Sequence, residues 1–219
     1  MKIFLDTANL NEIKKWHDVG ILDGVTTNPS LLAKEGKNPH ALIKEICALV
    51  QGDVSVEVTE SSPKKVYEQA KAISALAENI VVKIPCHINY YPVIKQLVSE
   101  GVKLNITLVF TVLQSLCMAK LGVTYISPFI GRWVDIDVDG IGILADIKTM
   151  LDQYNFVNTK LLAASVRSIS DFHQAVLIGA DVVTLPTDIL LKATSHPLTD
   201  QGMAKFIADW QKLGISQFP

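Results

Sequence analysis

The stretch Lys2-Ile3-Phe4-Leu5-Asp6-Thr7-Ala8-Asn9 decides the fold. A short apolar run ends on an aspartate, and the loop that follows contains no glycine. An open doubly wound sheet, the runner-up, places a glycine-rich phosphate loop after its first strand. A closed barrel needs no such loop and puts its chemistry where each strand ends. Seven further strand-like runs follow: Gly24–Thr27, Val54–Val58, Ile80–Ile84, Lys103–Leu108, Thr124–Ser127, Leu161–Ser165 and Val182–Leu185. Val81-Val82, Leu161 to Ala164 and Val182-Val183 are apolar on both alternations, as strands of a parallel sheet are when both faces are buried.

Helical spacing fills the intervals. Asn9 to Asp18 opens on a side chain suited to an N-cap, and Pro63 suits the first helical position. Pro39 to Val50 sets Ala41, Leu42, Ile46 and Leu49 on one face. Gly20, Gly52, Gly101, Gly122 and Gly179 each follow a helical segment, where a left-handed residue ends a helix. Asp200 to Leu213 carries Met203, Phe206, Ile207 and Trp210 as one more helix after the eighth unit. Strands alternating with helices, with no linker between them, predict an α/β (β/α)8 TIM barrel, a single domain over 1–219 with an extra C-terminal helix.

Composition narrows the function. With 49% hydrophobic and 19% charged residues the chain is no disordered polymer, and 20 basic against 22 acidic residues give no excess for nucleic-acid binding. No apolar run reaches the ~18 residues of a membrane span. The apolar start before Asp6 is too short for a signal peptide, and Cys47, Cys86 and Cys117 form no metal or disulfide pattern, so a reducing cytoplasm is expected. The five histidines show no metal-ligand spacing.

The strand ends deliver Asp6; Thr26, Thr27 and Asn28; Glu57; Lys83; Asn105 and Thr107; Ser127, Phe129 and Arg132; Ser165 and Arg167; and Thr184. Lys83 stands out, because a lysine inside an apolar run is costly unless paired or neutral. It is open to three readings: an ion pair with Glu57, a side chain snorkelling on the outer surface, or a nucleophilic amine with Glu57 and Asp6 as acid–base partners. Arg132 and Arg167 together suit a phosphate or carboxylate, while either alone is better read as capping a helix C-terminus or pairing with a surface carboxylate.

These residues stand in a series of motifs. Ile3 to Asn9, Asp23 to Ser30, Val56-Glu57-Val58, Val81 to Pro85, Asn105 to Leu108, Ser127 to Arg132, Ala163 to Arg167 and His196 to Gly202 resemble, in order, the transaldolase family. The match is to its short subfamily, the small microbial transaldolases and fructose-6-phosphate aldolases. The resemblance implies a TIM barrel and metal-free, cofactor-free chemistry. It implies that Lys83 forms a Schiff base with a ketose, that Asp6 assists carbon–carbon cleavage, and that Glu57 and Thr107 hold a catalytic water. Asn28, with Thr26 beside it, Asn105, Ser127 and Ser165 would surround the dihydroxyacetone unit, and Arg132 and Arg167 would clamp phosphate. Glu57, Phe129 and Arg167 follow the transaldolase branch, where the aldolase branch carries Gln, Tyr and Lys. The expected reaction therefore moves dihydroxyacetone between sugar phosphates. The alternatives are a lyase releasing it free and a barrel that binds sugar phosphates without turnover. The resemblance also implies ring-shaped pentamers that stack into decamers by exchanging C-terminal helices, so residues 199–213 are expected to join copies. The loop Cys86 to Pro92 departs from the family pattern.

Overall fold

A computed structural model describes residues 1–214. The five C-terminal residues of the predicted domain lie outside the described residues. Eight strands run β1 (Lys2–Asp6), β2 (Gly24–Thr26), β3 (Val54–Glu57), β4 (Ile80–Pro85), β5 (Leu104–Val109), β6 (Tyr125–Pro128), β7 (Lys160–Ala163) and β8 (Val182–Leu185). They close as a barrel in sequence order, every neighbour parallel, with β8 pairing back onto β1. This is the expected (β/α)8 barrel.

The helices are α1 (Leu10–Val19), α2 (Pro29–Lys34), α3 (Pro39–Leu49), α4 (Pro63–Ser74), α5 (Tyr91–Ser99), α6 (Val112–Leu121), α7 (Ile130–Val134), α8 (Gly140–Gln153), α9 (Ile169–Ile178), α10 (Thr187–Ala193) and α11 (Pro197–Lys212). Asn9 caps α1, accepting from the Asn11 and Glu12 N–H groups, and Pro63 starts α4, both as predicted. Of the five glycines, Gly20, Gly101, Gly122 and Gly179 are left-handed. Gly52 is a correction: it is needed for room, since a Cβ there would sit 1.7 Å from the Asp23 carbonyl oxygen.

Two apolar regions result. The larger fills the layer between strands and helices, with Ile46, Leu97, Ile106, Ile126, Leu144 and Ile147 wholly buried. The smaller plugs the barrel interior: Phe4, Val81, Tyr125, Leu162 and Val182. The Phe4 and Tyr125 rings meet edge to face at 6.0 Å, and the Tyr125 hydroxyl donates to Asp53 at 2.7 Å below them. The plug fills the barrel interior, and polar side chains pointing inward beyond it line a cavity at the carboxyl ends of the strands.

Candidate active site

Strand register sets the site. Glu57 of β3, Lys83 of β4 and Asn105 of β5 pair directly, so the inward face at this level reads carboxylate, amine, amide. Lys83 Nζ lies 3.0 Å from Glu57 Oε2, and only 6% of the lysine is exposed. The snorkelling placement is thereby excluded, and the ion pair is present. The pair alone does not account for the amine, because Lys83 also lines a cavity of about 200 Å³. Its ammonium stands 5.8 Å from the centroid of the Phe129 ring, within cation–π range.

Asp6, at the end of β1, faces the same cavity. Thr26 Oγ1 donates to Asp6 Oδ1 at 2.7 Å and lies 2.6 Å from Thr184 Oγ1. A hydroxyl has one proton, so Thr184 must donate to Thr26, and the chain of hydroxyls ends on the carboxylate. Burial pushes the Asp6 carboxyl up from its ordinary value, with the Thr26 hydrogen bond and the Lys83 charge opposing it less strongly. Such a carboxyl suits proton transfer at the cavity wall.

Opposite, Ser127 Oγ donates to Asn105 Oδ1 at 2.6 Å, and Asn105 Nδ2 donates to Ser55 Oγ at 3.1 Å. This buried chain runs from β6 through β5 to β3 and fixes the Asn105 amide. Thr107, fully buried on β5, has a hydroxyl with no hydrogen-bond partner. A buried orphan of that kind is rare and marks a place for a water or substrate oxygen. Neither Glu57 nor Thr107 lines the cavity.

The mouth is built by α7 and the loop after β7. Phe129 packs edge to face on Phe110, which packs likewise on the buried Trp133. The Ile130 and Gly131 N–H groups donate to the Ala164 and Ser165 carbonyls at 3.0 Å. Ser165 adopts φ +57°, uncommon outside glycine, at the point where the chain turns into the cavity wall. Asn28 caps α2, its side chain accepting from the Leu31 N–H at 3.0 Å, and reaches the same wall. Arg132 and Arg167 both line the cavity. Arg167 is not free, however: its two terminal nitrogens grip the Asp135 carboxylate as a fork. Ten of the twelve predicted site residues therefore meet around one space, namely Asp6, Thr26, Asn28, Lys83, Asn105, Ser127, Phe129, Arg132, Ser165 and Arg167. Sequence reasoning misses Ser55 and Asp135. Ser55 shares the inward face of β3 with Glu57, two residues on, so strand alternation signals it; nothing in the spacing signals Asp135.

The family model for transaldolase/fructose-6-phosphate aldolase matches residues 3–217. The chain belongs to the transaldolase/fructose-6-phosphate aldolase family. A probable transaldolase of Chelativorans sp. (strain BNC1) is 46% identical over 214 residues, 98% of either chain. One from Geobacter metallireducens is 44% identical over 213 residues, 97% of this chain and 99% of its own. Among solved structures, the flavin-binding domain of baker's yeast flavocytochrome b2 superposes with a TM-score of 0.61 at 14% identity, over 85% of this chain and 56% of that one. A mandelate oxidase variant gives 0.61 at 12% identity, over 85% and 64%. This chain spans less than two thirds of either structure, and at such identities the likeness is of fold alone. Among the described residues no helix of this transaldolase-family chain is long and apolar enough to cross a membrane, and no cluster of side chains is arranged to hold a metal ion.

Proposed function

We propose that the chain is a transaldolase that carries a dihydroxyacetone unit on Lys83 from sedoheptulose 7-phosphate to glyceraldehyde 3-phosphate, giving erythrose 4-phosphate and fructose 6-phosphate, in the cytoplasmic pentose phosphate pathway. The observation that carries this reading is a buried primary amine on the wall of a cavity whose rim presents two guanidiniums. Relatives named probable transaldolase, 46% identical, agree with it.

The Lys83 amine adds to the C2 carbonyl, and loss of water leaves an iminium. Asp6 takes the proton of the C4 hydroxyl as the C3–C4 bond breaks, and the iminium receives the electron pair. The aldose phosphate leaves, and the enamine waits for the second aldehyde. Splitting one hard step into two through a covalent intermediate lowers each barrier. Glu57 and a water seated on the Thr107 hydroxyl would move protons at the nitrogen. The Ser127–Asn105 pair is placed to bind dihydroxyacetone hydroxyls, with Thr26, Asn28 and Ser165 around them. Phe129 has no proton to give, which favours an enamine that survives until the acceptor arrives. Arg132 and Arg167 would hold the phosphate.

Borohydride reduction in the presence of fructose 6-phosphate, followed by peptide mass mapping, should tag Lys83 in the wild type and no residue in Lys83→Ala. A tag on another lysine would sink the assignment, and no tag at all would leave a binding barrel. Release of free dihydroxyacetone without acceptor, as fast as transfer, would place the chain in the lyase branch.

A further inference from the structure

Arg167 reaches the cavity with only part of its hydrogen-bonding edge available. Its Nε side lies against the neighbouring backbone: a Cβ on Gly131 would come within 2.5 Å of both Arg167 Nε and the Ser165 carbonyl oxygen. The remaining edge, the fork of the two terminal nitrogens, is the one that matches a phosphate. In this structure that fork is filled by Asp135, whose second oxygen accepts from Arg167 at 2.9 Å. Asp135 follows α7 as its C-cap, three residues after Arg132, and does not itself line the cavity. The pair is half exposed, 48% for the arginine side chain and 44% for the aspartate, so it is one that an incoming dianion can break.

We propose that Asp135 is a specificity-determining counter-ion that occupies the arginine fork in the empty site and must be displaced by the substrate's phosphate. The inference rests on the phosphate role of Arg167 in the proposed function. Asp135 then sets a threshold. A dianionic phosphate outcompetes one carboxylate for the fork, whereas an uncharged sugar end leaves the pair intact and gains nothing from Arg167. On product departure Asp135 recaptures the guanidinium and blocks its return to the leaving phosphate. The Asp135 carboxyl is held below its ordinary range first by the Arg167 hydrogen bond and, more weakly, by the charge of Arg132, which places it in the field of both arginines.

The test is calorimetric titration of inorganic phosphate into the wild type, Asp135→Asn, Asp135→Glu, Arg167→Ala and the Asp135→Asn/Arg167→Ala pair, each checked for an intact thermal transition. Asp135→Asn should bind phosphate tighter by roughly two- to fivefold, the scale on which exposed ion pairs act. Asp135→Glu should stay near the wild type, and KM for the phosphorylated ketose should fall in Asp135→Asn without a rise in kcat. In the Arg167→Ala background the Asp135→Asn gain should vanish, since a coupling between two groups disappears when either is gone. Weaker or unchanged phosphate binding by Asp135→Asn would make Asp135 a strut for the arginine and overturn the proposal alone. Phosphate binding that Arg167→Ala leaves unaltered would overturn the phosphate role of Arg167, and this inference with it.

Discussion

Burial pushes the Asp6 carboxyl above its ordinary value while Thr26 and Lys83 only partly offset the effect. In the unfolded chain the same group titrates near pH ~3.9. Between these two pKa values the native state binds more protons, so stability falls as pH rises through the folded value. The contribution of Asp6 is thus favourable in acid and lost towards neutrality. Asp6→Asn keeps an oxygen for the Thr26 hydroxyl and has no charge to desolvate. Its melting temperature should exceed that of the wild type at neutral pH, and the difference should close below about pH 4. A difference independent of pH would contradict the buried-charge account. The same variant should lose about 10²- to 10⁴-fold in carbon–carbon cleavage, as when a proton acceptor is removed. At this scale much is legible in the amino-acid sequence itself. Lys83 is conspicuous because a charge in an apolar run needs a reason, and Asp6 because it ends the first strand. The Thr26–Thr184 contact joins residues 158 apart across the seam of the barrel, and no local spacing encodes it.

Elements long enough to show a period are legible, and short ones are not. α3, α4 and α5 bury one face each and repeat at helical spacing. α2 and α7 have six and five residues, too few for a period to emerge, so their residues show only as strand-end loops in the sequence. α7 matters most, because it holds Arg132 and stacks its first turn on the end of β7. That stacking depends on Gly131, where an added Cβ would meet a backbone carbonyl unable to yield and the Nε of Arg167. Gly131→Ala should cost about 1–3 kcal/mol of stability, the range for forcing extra volume into a packed site. It should also weaken phosphate binding by shifting the Arg167 guanidinium. Urea unfolding and phosphate titration measure the two effects separately. A variant as stable as the wild type with unchanged phosphate affinity would show that α7 moves freely, contrary to its packing.

For the whole molecule the open question is what α11 does. The barrel closes, its interior is plugged and its helical ring is complete without this helix. Pro197–Lys212 buries no residue, yet Leu198 is 67% exposed, Met203 57%, Phe206 73% and Ile207 56%. An isolated helix of this length is marginal in water, so most of its stability must come from packing of an apolar face. The sequence pattern of Met203, Phe206, Ile207 and Trp210 announces such a face, and the single chain leaves most of it uncovered. We propose that a second copy covers it and that α11 links protomers into the ring-shaped oligomer the resemblance implies. Each large apolar side chain so buried is worth about 1.5–3 kcal/mol. Phe206→Asp in the full-length chain, and a chain truncated after Thr199, should both lower the mass measured by light scattering. Both should still form the Lys83 adduct, since the cavity draws no residue from α11. An unchanged assembled mass in the truncated chain would refute the linking role and leave the helix packed on its own barrel. A lowered mass with the adduct lost as well would mean instead that assembly completes the site.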